Sequence, residues 1–137
     1  MNEPWLRVLE LLPILESPDF VAATWPKLAP RIENGVKIIQ MPYPEYHPAI
    51  DELRSAVWGP PDLDPYKALP EDPPDIQLTP GLSFPIEYFE TATANQVRRY
   101  LMLCFRGERF CDGHIDGEFL NGKIVAALRR LRSLQSQ

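Results

Sequence analysis

The stretch RGERFCDGHIDGEF, residues 106–119, has the side chains most capable of chemistry in this chain. Cys111, His114, Asp112 and Asp116 lie within six residues of one another. A thiolate beside a histidine is the usual arrangement of a cysteine nucleophile and its base. Cysteine, histidine and carboxylate side chains are also the ligands of zinc. The stretch therefore suggests two chemical hypotheses, a small enzyme or a metal site at Cys111 and His114.

Spacing argues against these chemistries. Counting Asp112 as the first position of an EF-hand loop puts Lys123 at position 12, where calcium needs a bidentate glutamate. Cys104, the other cysteine, falls on the inward face of a predicted helix, and the chain has no CxxC pair, HxxxH pair, P-loop, GxSxG or GxGxxG motif. We therefore predict no catalytic residue, no metal ligand and no cofactor.

The alternative interpretation is that residues 106–119 form a tightly packed joint between two helices. In a helix over 108–121, Gly113 and Gly117 would lie one turn apart on the same face. Each helical glycine costs about 1 kcal/mol relative to alanine. We therefore expect another backbone to approach both glycines closely, while His114 lies near the surface.

Three helices are predicted to position this joint. The first runs from a capping box at Thr93 and Gln96 to Arg106, the second covers 108–121, and the third runs over 123–134. On the first helix, apolar side chains surround a narrow polar wedge formed by Arg98, Arg99 and Arg106. The pattern predicts a central, nearly surrounded helix within a three-helix unit over 93–137.

The rest of the chain predicts a mainly α fold with at most a small β element near 36–42. Helices are expected at 4–16, 18–24 and 48–58, with the best strand candidate at 35–46. These elements make an N-terminal part, residues 1–58, on which the three-helix unit packs. Eight prolines among the 27 residues of 59–85 predict an extended segment wrapped over the surface. We expect a single domain over 1–137.

Charge and composition narrow the function. The net charge of −5 divides into −9 over residues 1–92 and +4 over 93–137. No apolar run is long enough for a membrane span, and two cysteines are too few for a disulfide scaffold, so we expect a cytoplasmic protein without a membrane partner. A basic C-terminal third resembling a helix-turn-helix makes nucleic-acid binding the alternative function. The acidic N-terminal body argues against it because it would repel phosphates.

The favoured hypothesis is a non-catalytic binding or interaction module, whose partner is an unknown protein or a second copy of the chain. Aromatic residues concentrated in 41–66 and the charges of the C-terminal third motivate it. The candidate interaction surface consists of Tyr43, Tyr46, Trp58, Tyr66, Arg106, Arg109, Asp112, Arg129 and Arg130.

Three blocks of the sequence carry a resemblance to a known family. They are RGERFCDG at 106–113, NGKIVAALRRL at 121–131 and MPYPEYHPAIDELRSAVWG at 41–59. In these blocks the chain resembles an uncharacterised family of small bacterial and archaeal proteins. The resemblance implies a shared fold, and it brings no activity or ligand with it.

Overall fold

The computed structural model describes residues 3–39, 41–58, 63–76, 78 and 84–135, and these residues form a mainly α fold, as predicted. In the described part, five α-helices and one short 3-10 helix enclose the core, and four strands of two or three residues make two separate pairs. The helices are α1 (Glu3–Leu15), α2 (Pro48–Trp58), the 3-10 helix (Ile86–Glu90), α3 (Ala94–Glu108), α4 (His114–Leu120) and α5 (Lys123–Gln135). The strands are β1 (Ala23–Thr24), β2 (Arg31–Glu33), β3 (Val36–Ile38) and β4 (Glu45–Tyr46).

Helix α3 is the centre of the molecule. It packs against α2, α4 and α5, while α1 packs across α2 and α5. Eleven of its fifteen residues are buried, which confirms the prediction of a nearly surrounded helix. The predicted capping box is also present, since Thr93 Oγ1 accepts from Gln96 N at 3.1 Å and Thr93 N donates to Gln96 Oε1 at 2.9 Å. Two of the helix's unpaired amide groups are thereby satisfied.

The three arginines of the polar wedge predicted on α3 differ in exposure. Arg98 and Arg99 are buried, with 3% and 0% of their surface exposed, whereas Arg106 is partly exposed. The proline-rich segment covers Arg99 through Asp72, whereas the Arg98 guanidinium lies over the Trp5 ring of α1, 5.5 Å from its centre. The segment's Leu63, Ile76 and Leu78 pack against the hydrophobic core. The predicted segment 59–85 is described only at 63–76, 78 and 84–85, and the rest of it lies outside the described residues.

The predicted helix at 18–24 is wrong. A single turn closes there, with Phe20 N donating to Ser17 O at 3.0 Å, and the chain then becomes extended. Strand β1 pairs antiparallel with β4, Ala23 lying opposite Tyr46. Pro26 and Pro30 disfavour helical conformations in the residues before them, so the pairing with β4 prevails over a short helix.

The predicted strand at 35–46 is divided in two. Its first part, β3, forms a hairpin with β2 through Asn34 and Gly35, which have φ values of 51° and 80°. Two successive positive φ values are typical of the tight turn that an Asn-Gly pair favours. The second part is β4, which pairs with β1 instead.

The predicted helix 108–121 is also wrong at its start. Residue Glu108 is still the last residue of α3, residues 109–113 form a turn, and α4 begins only at His114. Gly113 has a φ of 90°, a left-handed conformation that a continuous helix cannot contain. The predicted end of α4 is confirmed, because Gly122 has a φ of 81° in the turn to α5.

Candidate binding cleft

The stretch 106–119 forms a structural joint through the carboxylate of Glu108. Its Oε2 accepts from Gly113 N at 2.8 Å and its Oε1 accepts from Ile115 N at 2.9 Å. Its Oε1 also accepts from the Tyr46 hydroxyl, and Tyr46 Oη accepts from Asp116 N at 3.3 Å. The first amide groups of a helix have no partner within it, and a negative charge is favoured there. Glu108 therefore holds the start of α4 against the end of α3.

Burial and the bond to Glu108 both raise the pKa of the Tyr46 hydroxyl above its usual value. Tyr46 accordingly stays protonated at neutral pH and keeps donating to the carboxylate. Strand β4 supplies this residue, and the β1–β4 pairing fixes its position. A strand in the N-terminal half thus stabilises a helix junction in the C-terminal half.

Close approach at the joint involves two glycines, Gly107 and Gly113. Gly113 was predicted to be closely packed, but the predicted neighbour, another backbone, is wrong, because the group beside it is the Trp25 side chain. A Cβ added at Gly107 would lie 2.6 Å from the His114 ring, and one at Gly113 would lie 2.6 Å from the Trp25 ring. Nothing lies within 4 Å of a Cβ at Gly117, so its predicted close packing is wrong. His114 is half-buried, not at the surface as expected, because its ring packs on Gly107.

The reactive groups of the joint do not form a constellation suited to catalysis. Cys104 is buried in the core, and this burial raises the pKa of its thiol. Cys111 is exposed, and its Sγ donates a weak bond to Asp112 O at 4.0 Å, with no hydrogen bond to His114 among the described residues. In the described part of the chain, no group of three histidine, cysteine or acidic residues is placed to hold a metal ion. The hypotheses of an enzyme or a metal site at Cys111 and His114 therefore gain no support from the geometry.

A buried ion pair holds the proline-rich segment on α3. Both nitrogens of the Arg99 fork bond to Asp72, with Arg99 Nη2 at 2.6 Å from Oδ1. The side chains of the pair are 0% and 1% exposed. Leu69 N donates to Asp72 Oδ2 at 2.6 Å, and Gln96 Nε2 donates to Oδ1 at 3.1 Å. These donors, Arg99 above all, lower the pKa of Asp72 to about 2.

The segment runs antiparallel to α3. Glu71 and Asp72 contact the first turns of α3, where Thr93 Oγ1 donates to Glu71 Oε2 at 2.8 Å. Six residues earlier in the segment, the Tyr66 hydroxyl accepts from Arg106 Nε at 3.0 Å, near the end of α3. Arg99 and Arg106 are seven residues apart and share a face, separated by about 10 Å along the helix. The segment therefore covers Arg99 completely and Arg106 only in part.

Beyond Tyr66, a cleft opens between the ends of α2 and α3. It has a volume of about 270 Å³. The side chains that line it share a basic or aromatic character, apart from one carboxylate, and they are Arg54, Trp58, Phe105, Arg106, Glu108 and Arg109. We call this feature the arginine cleft.

Two of the three guanidinium groups in the arginine cleft, those of Arg54 and Arg106, stack on aromatic rings and keep N–H donors available. Arg54 Cζ lies 5.5 Å from the centre of the Phe105 ring, and Arg106 Cζ lies 5.7 Å from the centre of the Tyr66 ring. Stacking of this kind orients a guanidinium group and leaves its edges for carboxylate or phosphate oxygens. Among the described residues, the Arg109 side chain has no hydrogen-bond or ion-pair partner.

Carboxylates close to the arginine cleft do little to neutralise it. Glu108 keeps its negative charge, but both of its oxygens accept bonds from the α4 amides and Tyr46, and among the described residues it forms no ion pair with an arginine of the cleft. Asp51 lies 3.8 Å from Arg54, but both side chains are substantially exposed. Exposed pairs contribute about 0–1 kcal/mol. The arginine cleft is therefore a basic, partly aromatic site on a protein of net charge −5.

The nine residues predicted to form one interaction surface lie in different places. Four belong to the arginine cleft or its rim: Trp58, Tyr66, Arg106 and Arg109. Tyr46 is half-buried beneath the joint, where it bonds to Glu108. Tyr43 and Asp112 are exposed and do not line the cleft. The structure therefore brings fewer than half of the predicted residues to this site.

The remaining two predicted residues, Arg129 and Arg130, are on α5 and have partners within the chain. Arg129 Nε lies 3.0 Å from Glu16 Oε2, and Arg130 Nε donates to Ala92 O at 2.9 Å. Glu16 also accepts from Arg132 at 3.2 Å. Arg129 and Arg132 together lower the pKa of the Glu16 carboxyl. Part of the basic face of α5 is thus used to fasten α5 to the end of α1.

Sequence reasoning missed Arg54 and the Arg99–Asp72 pair. Arg54 and Trp58 are four residues apart on α2, and this spacing on one helix face was the signal for a basic, aromatic site. The signal for a buried Arg99 was weaker. Because α3 is predicted to be surrounded by other elements, a polar side chain on it is also expected to be buried. Asp72 had no signal, because the proline-rich segment lacks any periodicity from which a buried position can be deduced.

Comparison with known proteins gives one match. Residues 83–137, which include α3, α4 and α5, match the model of a family of unknown function, DUF6508. No curated protein and no solved structure gives a significant match. The family match confirms the interpretation of this part as an uncharacterised domain, and it covers the blocks at 106–113 and 121–131 but not the one at 41–59. Within the described residues, no helix is long and apolar enough to cross a membrane.

Proposed function

We propose that the protein is a non-catalytic binding module, and that the arginine cleft binds an acidic segment of a partner protein. The observation that carries this proposal is the set of three guanidinium groups around one aromatic cleft, in which the one carboxylate among the described lining residues, Glu108, bonds to the α4 amides and Tyr46. Planar guanidinium groups match carboxylates in a two-bond geometry. Trp58 and the Phe105 ring offer apolar surface beside these charges.

The size of the arginine cleft suits a side chain of a peptide. At about 270 Å³ it lies near the lower end of the range of about 300–1,000 Å³ that ligand pockets occupy. A cleft of this size accommodates one or two side chains of an extended segment. Aromatic and arginine residues are also enriched at the centres of protein interfaces.

An acidic protein segment is favoured over nucleic acid for electrostatic reasons. Phosphate backbones are bound by domains with extended basic surfaces, and this chain carries five more negative than positive charges. Arginines of α5 that a helix-turn-helix would present to DNA are bonded to Glu16. The unpaired thiols of Cys104 and Cys111 support placing the module in the reducing cytoplasm.

Isothermal titration with a synthetic glutamate-rich peptide carrying one phenylalanine tests this proposal. We expect binding that weakens as salt increases, and that falls about tenfold or more in Arg109→Gln, equivalent to about 1.4 kcal/mol. Arg129→Gln is the matched control, since it removes the same charge from α5 and should leave the affinity within about twofold of the parent.

Two outcomes would contradict the proposal. One is failure of the peptide to bind at about 50 mM salt, where attraction between exposed charges is strong. The other is an equal loss of affinity in Arg109→Gln and Arg129→Gln, which would show that only the overall charge matters. A parallel titration with duplex DNA, if it gave the tighter binding, would favour the nucleic-acid function instead.

A further inference from the structure

The β2–β3 hairpin stands apart from the core with apolar side chains exposed on it. In the described part of the chain, β2 and β3 pair only with each other. Ile32, Val36 and Ile39 are 75%, 63% and 72% exposed. A single two-stranded hairpin is marginally stable in water, and an open strand edge is a template for pairing with another chain.

The outer edge of β2 presents the backbone groups of Ile32. Residues Glu33 and Val36 flank the two-residue turn, and Ile32 lies opposite Lys37. In such a hairpin the pair next to the turn exchanges both hydrogen bonds, and the following pair exchanges none. The N–H and C=O of Ile32 therefore point away from β3, towards the open edge.

The side chains of β2 are complementary to those of a second, antiparallel β2. The strand reads Arg31, Ile32, Glu33. When two copies are aligned antiparallel about Ile32, each Arg31 lies opposite the other copy's Glu33, and the two Ile32 residues face each other. Opposite charges placed directly across a sheet stabilise the pair. All three residues are exposed. Arg31 Nε lies 3.3 Å from Glu33 Oε1 of the same strand, but both side chains are more than half exposed, and such surface pairs contribute only about 0–1 kcal/mol, so each can exchange its partner for one on the second copy.

We propose that the protein forms a weak symmetric dimer in which the β2 strands of two copies pair antiparallel, making a four-stranded sheet. A second copy satisfies the Ile32 N–H and C=O with two reciprocal hydrogen bonds. Pairing of a strand with itself about a two-fold axis is closed, so it gives a dimer and no longer assembly.

The same reasoning disfavours pairing through β3. Aligned on itself, β3 would place Lys37 directly opposite Lys37, and like charges directly across a sheet are destabilising. Pro30, just before β2, has no N–H and limits the length of the paired strand. The contact is therefore short, and interfaces below about 1,200 Å² belong to weak, transient complexes.

Sedimentation velocity across a range of protein concentrations tests the dimer. We expect a monomer at about 10 µM and a growing dimer fraction towards about 1 mM, as for other small interfaces. Arg31→Glu and Glu33→Arg should each weaken the dimer about tenfold or more. In either variant, both of the opposite-charge pairs across the two strands become pairs of like charge.

Two rescues distinguish strand pairing from a general effect of charge. The double variant Arg31→Glu/Glu33→Arg restores both opposite-charge pairs, so its dimer should return to the parent's strength. A mixture of the two single variants should form a heterodimer, because each supplies the charges that the other needs. Circular dichroism of each variant checks that the fold is retained, which we expect because the hairpin lies outside the core.

The proposal is overturned if the parent stays monomeric at about 1 mM, a concentration at which even weak interfaces associate. It is also overturned if the single variants dimerise as strongly as the parent, since the contact would then lie elsewhere. The dimer does not use the residues that line the arginine cleft, so its failure would leave the peptide-binding proposal standing.

Discussion

Arg99 and Arg106 lie on the same face of α3, about 10 Å apart along its axis, yet their guanidinium groups have different surroundings. Arg99 is fully buried, bonds to Asp72 through both branches of its fork and also donates to the Tyr88 hydroxyl at 3.1 Å. Arg106 is partly exposed and has no carboxylate partner among the described residues. Its Nε donates to the Tyr66 hydroxyl, and no other described residue bonds to its side chain.

The covering segment determines this difference. Asp72 supplies the charge that makes burial of Arg99 tolerable, because an unpaired ion in the interior is costly. At Arg106 the segment supplies the ring and hydroxyl of Tyr66, while the nearby Asp64 carboxylate accepts from Tyr66 N at 2.9 Å and forms no ion pair with Arg106 among the described residues. One end of α3 is therefore specialised for holding the fold together, and the other end leaves cationic groups available to a ligand.

The largest expected effect is the loss of the buried pair. Arg99→Met should lower the free energy of unfolding by about 3–5 kcal/mol, because it leaves the Asp72 carboxylate buried without its main partner. Urea unfolding measures this change. In the double variant Arg99→Met/Asp72→Leu, most of the loss should be recovered, since no charge is then left unpaired. A double variant no more stable than the single one would show that the ion pair is not the cause.

Glycine substitutions at the joint should have the next largest effect. Gly113→Ala should destabilise the protein by about 2 kcal/mol, because its φ of 90° is unfavourable for alanine and the new Cβ meets the Trp25 ring. Gly117→Ala makes the same change on an exposed part of α4 with no neighbour within 4 Å. It should stabilise the protein by up to about 1 kcal/mol. Thermal melts that rank the two variants in the opposite order would contradict the described joint.

Acid should weaken the Arg99 end of α3. The bond to Arg99 lowers the pKa of Asp72 to about 2 in the folded protein, from the ordinary value of 3.8. The stabilisation is therefore fully present above about pH 5 and is lost as the pH falls through 3.8 towards 2, by up to about 2 kcal/mol. The measurement is the difference in free energy of unfolding between the parent and Asp72→Asn, taken once above about pH 5 and once near pH 2. It should shrink on acidification, and a difference that stays constant would exclude this cause.

The smallest effect on stability is expected at the other end of α3. Arg109→Gln should change the free energy of unfolding by less than about 0.5 kcal/mol, because the side chain is exposed and bonds to no described residue. Chemical unfolding beside the parent checks this value. A loss above about 1 kcal/mol would show that Arg109 is part of the framework and is not reserved for a ligand.

The sequence predicted the elements with strong local signals. The capping box at Thr93 and Gln96 and the apolar faces of α3 and α5 are local or periodic features, and they are confirmed. The spacing of Gly113 and Gly117 led to a wrong prediction of close packing at Gly117, because the helix was expected to begin at residue 108 and it begins six residues later. The β2–β3 hairpin was missed although Asn34-Gly35 is a strong turn signal.

Some residues of the candidate site were predicted from the sequence, but the contacts that position them were not. Trp58, Tyr66, Arg106 and Arg109 were named from their residue types, and they do meet at the arginine cleft. Contacts such as Arg99–Asp72 and Tyr46–Glu108 join residues 27 and 62 positions apart. No periodicity connects such positions, so they are known only from the fold.

An NMR titration that resolves individual backbone amides is the most direct test of the division of α3 into a structural and a ligand-binding end. The ligand is the glutamate-rich peptide carrying one phenylalanine. We predict that shifts concentrate at residues 54–58 and 105–109, while the amides of Arg99 and Asp72 stay unchanged. Shifts that concentrate on α5, or shifts as large around Arg99 as around Arg106, would contradict the account.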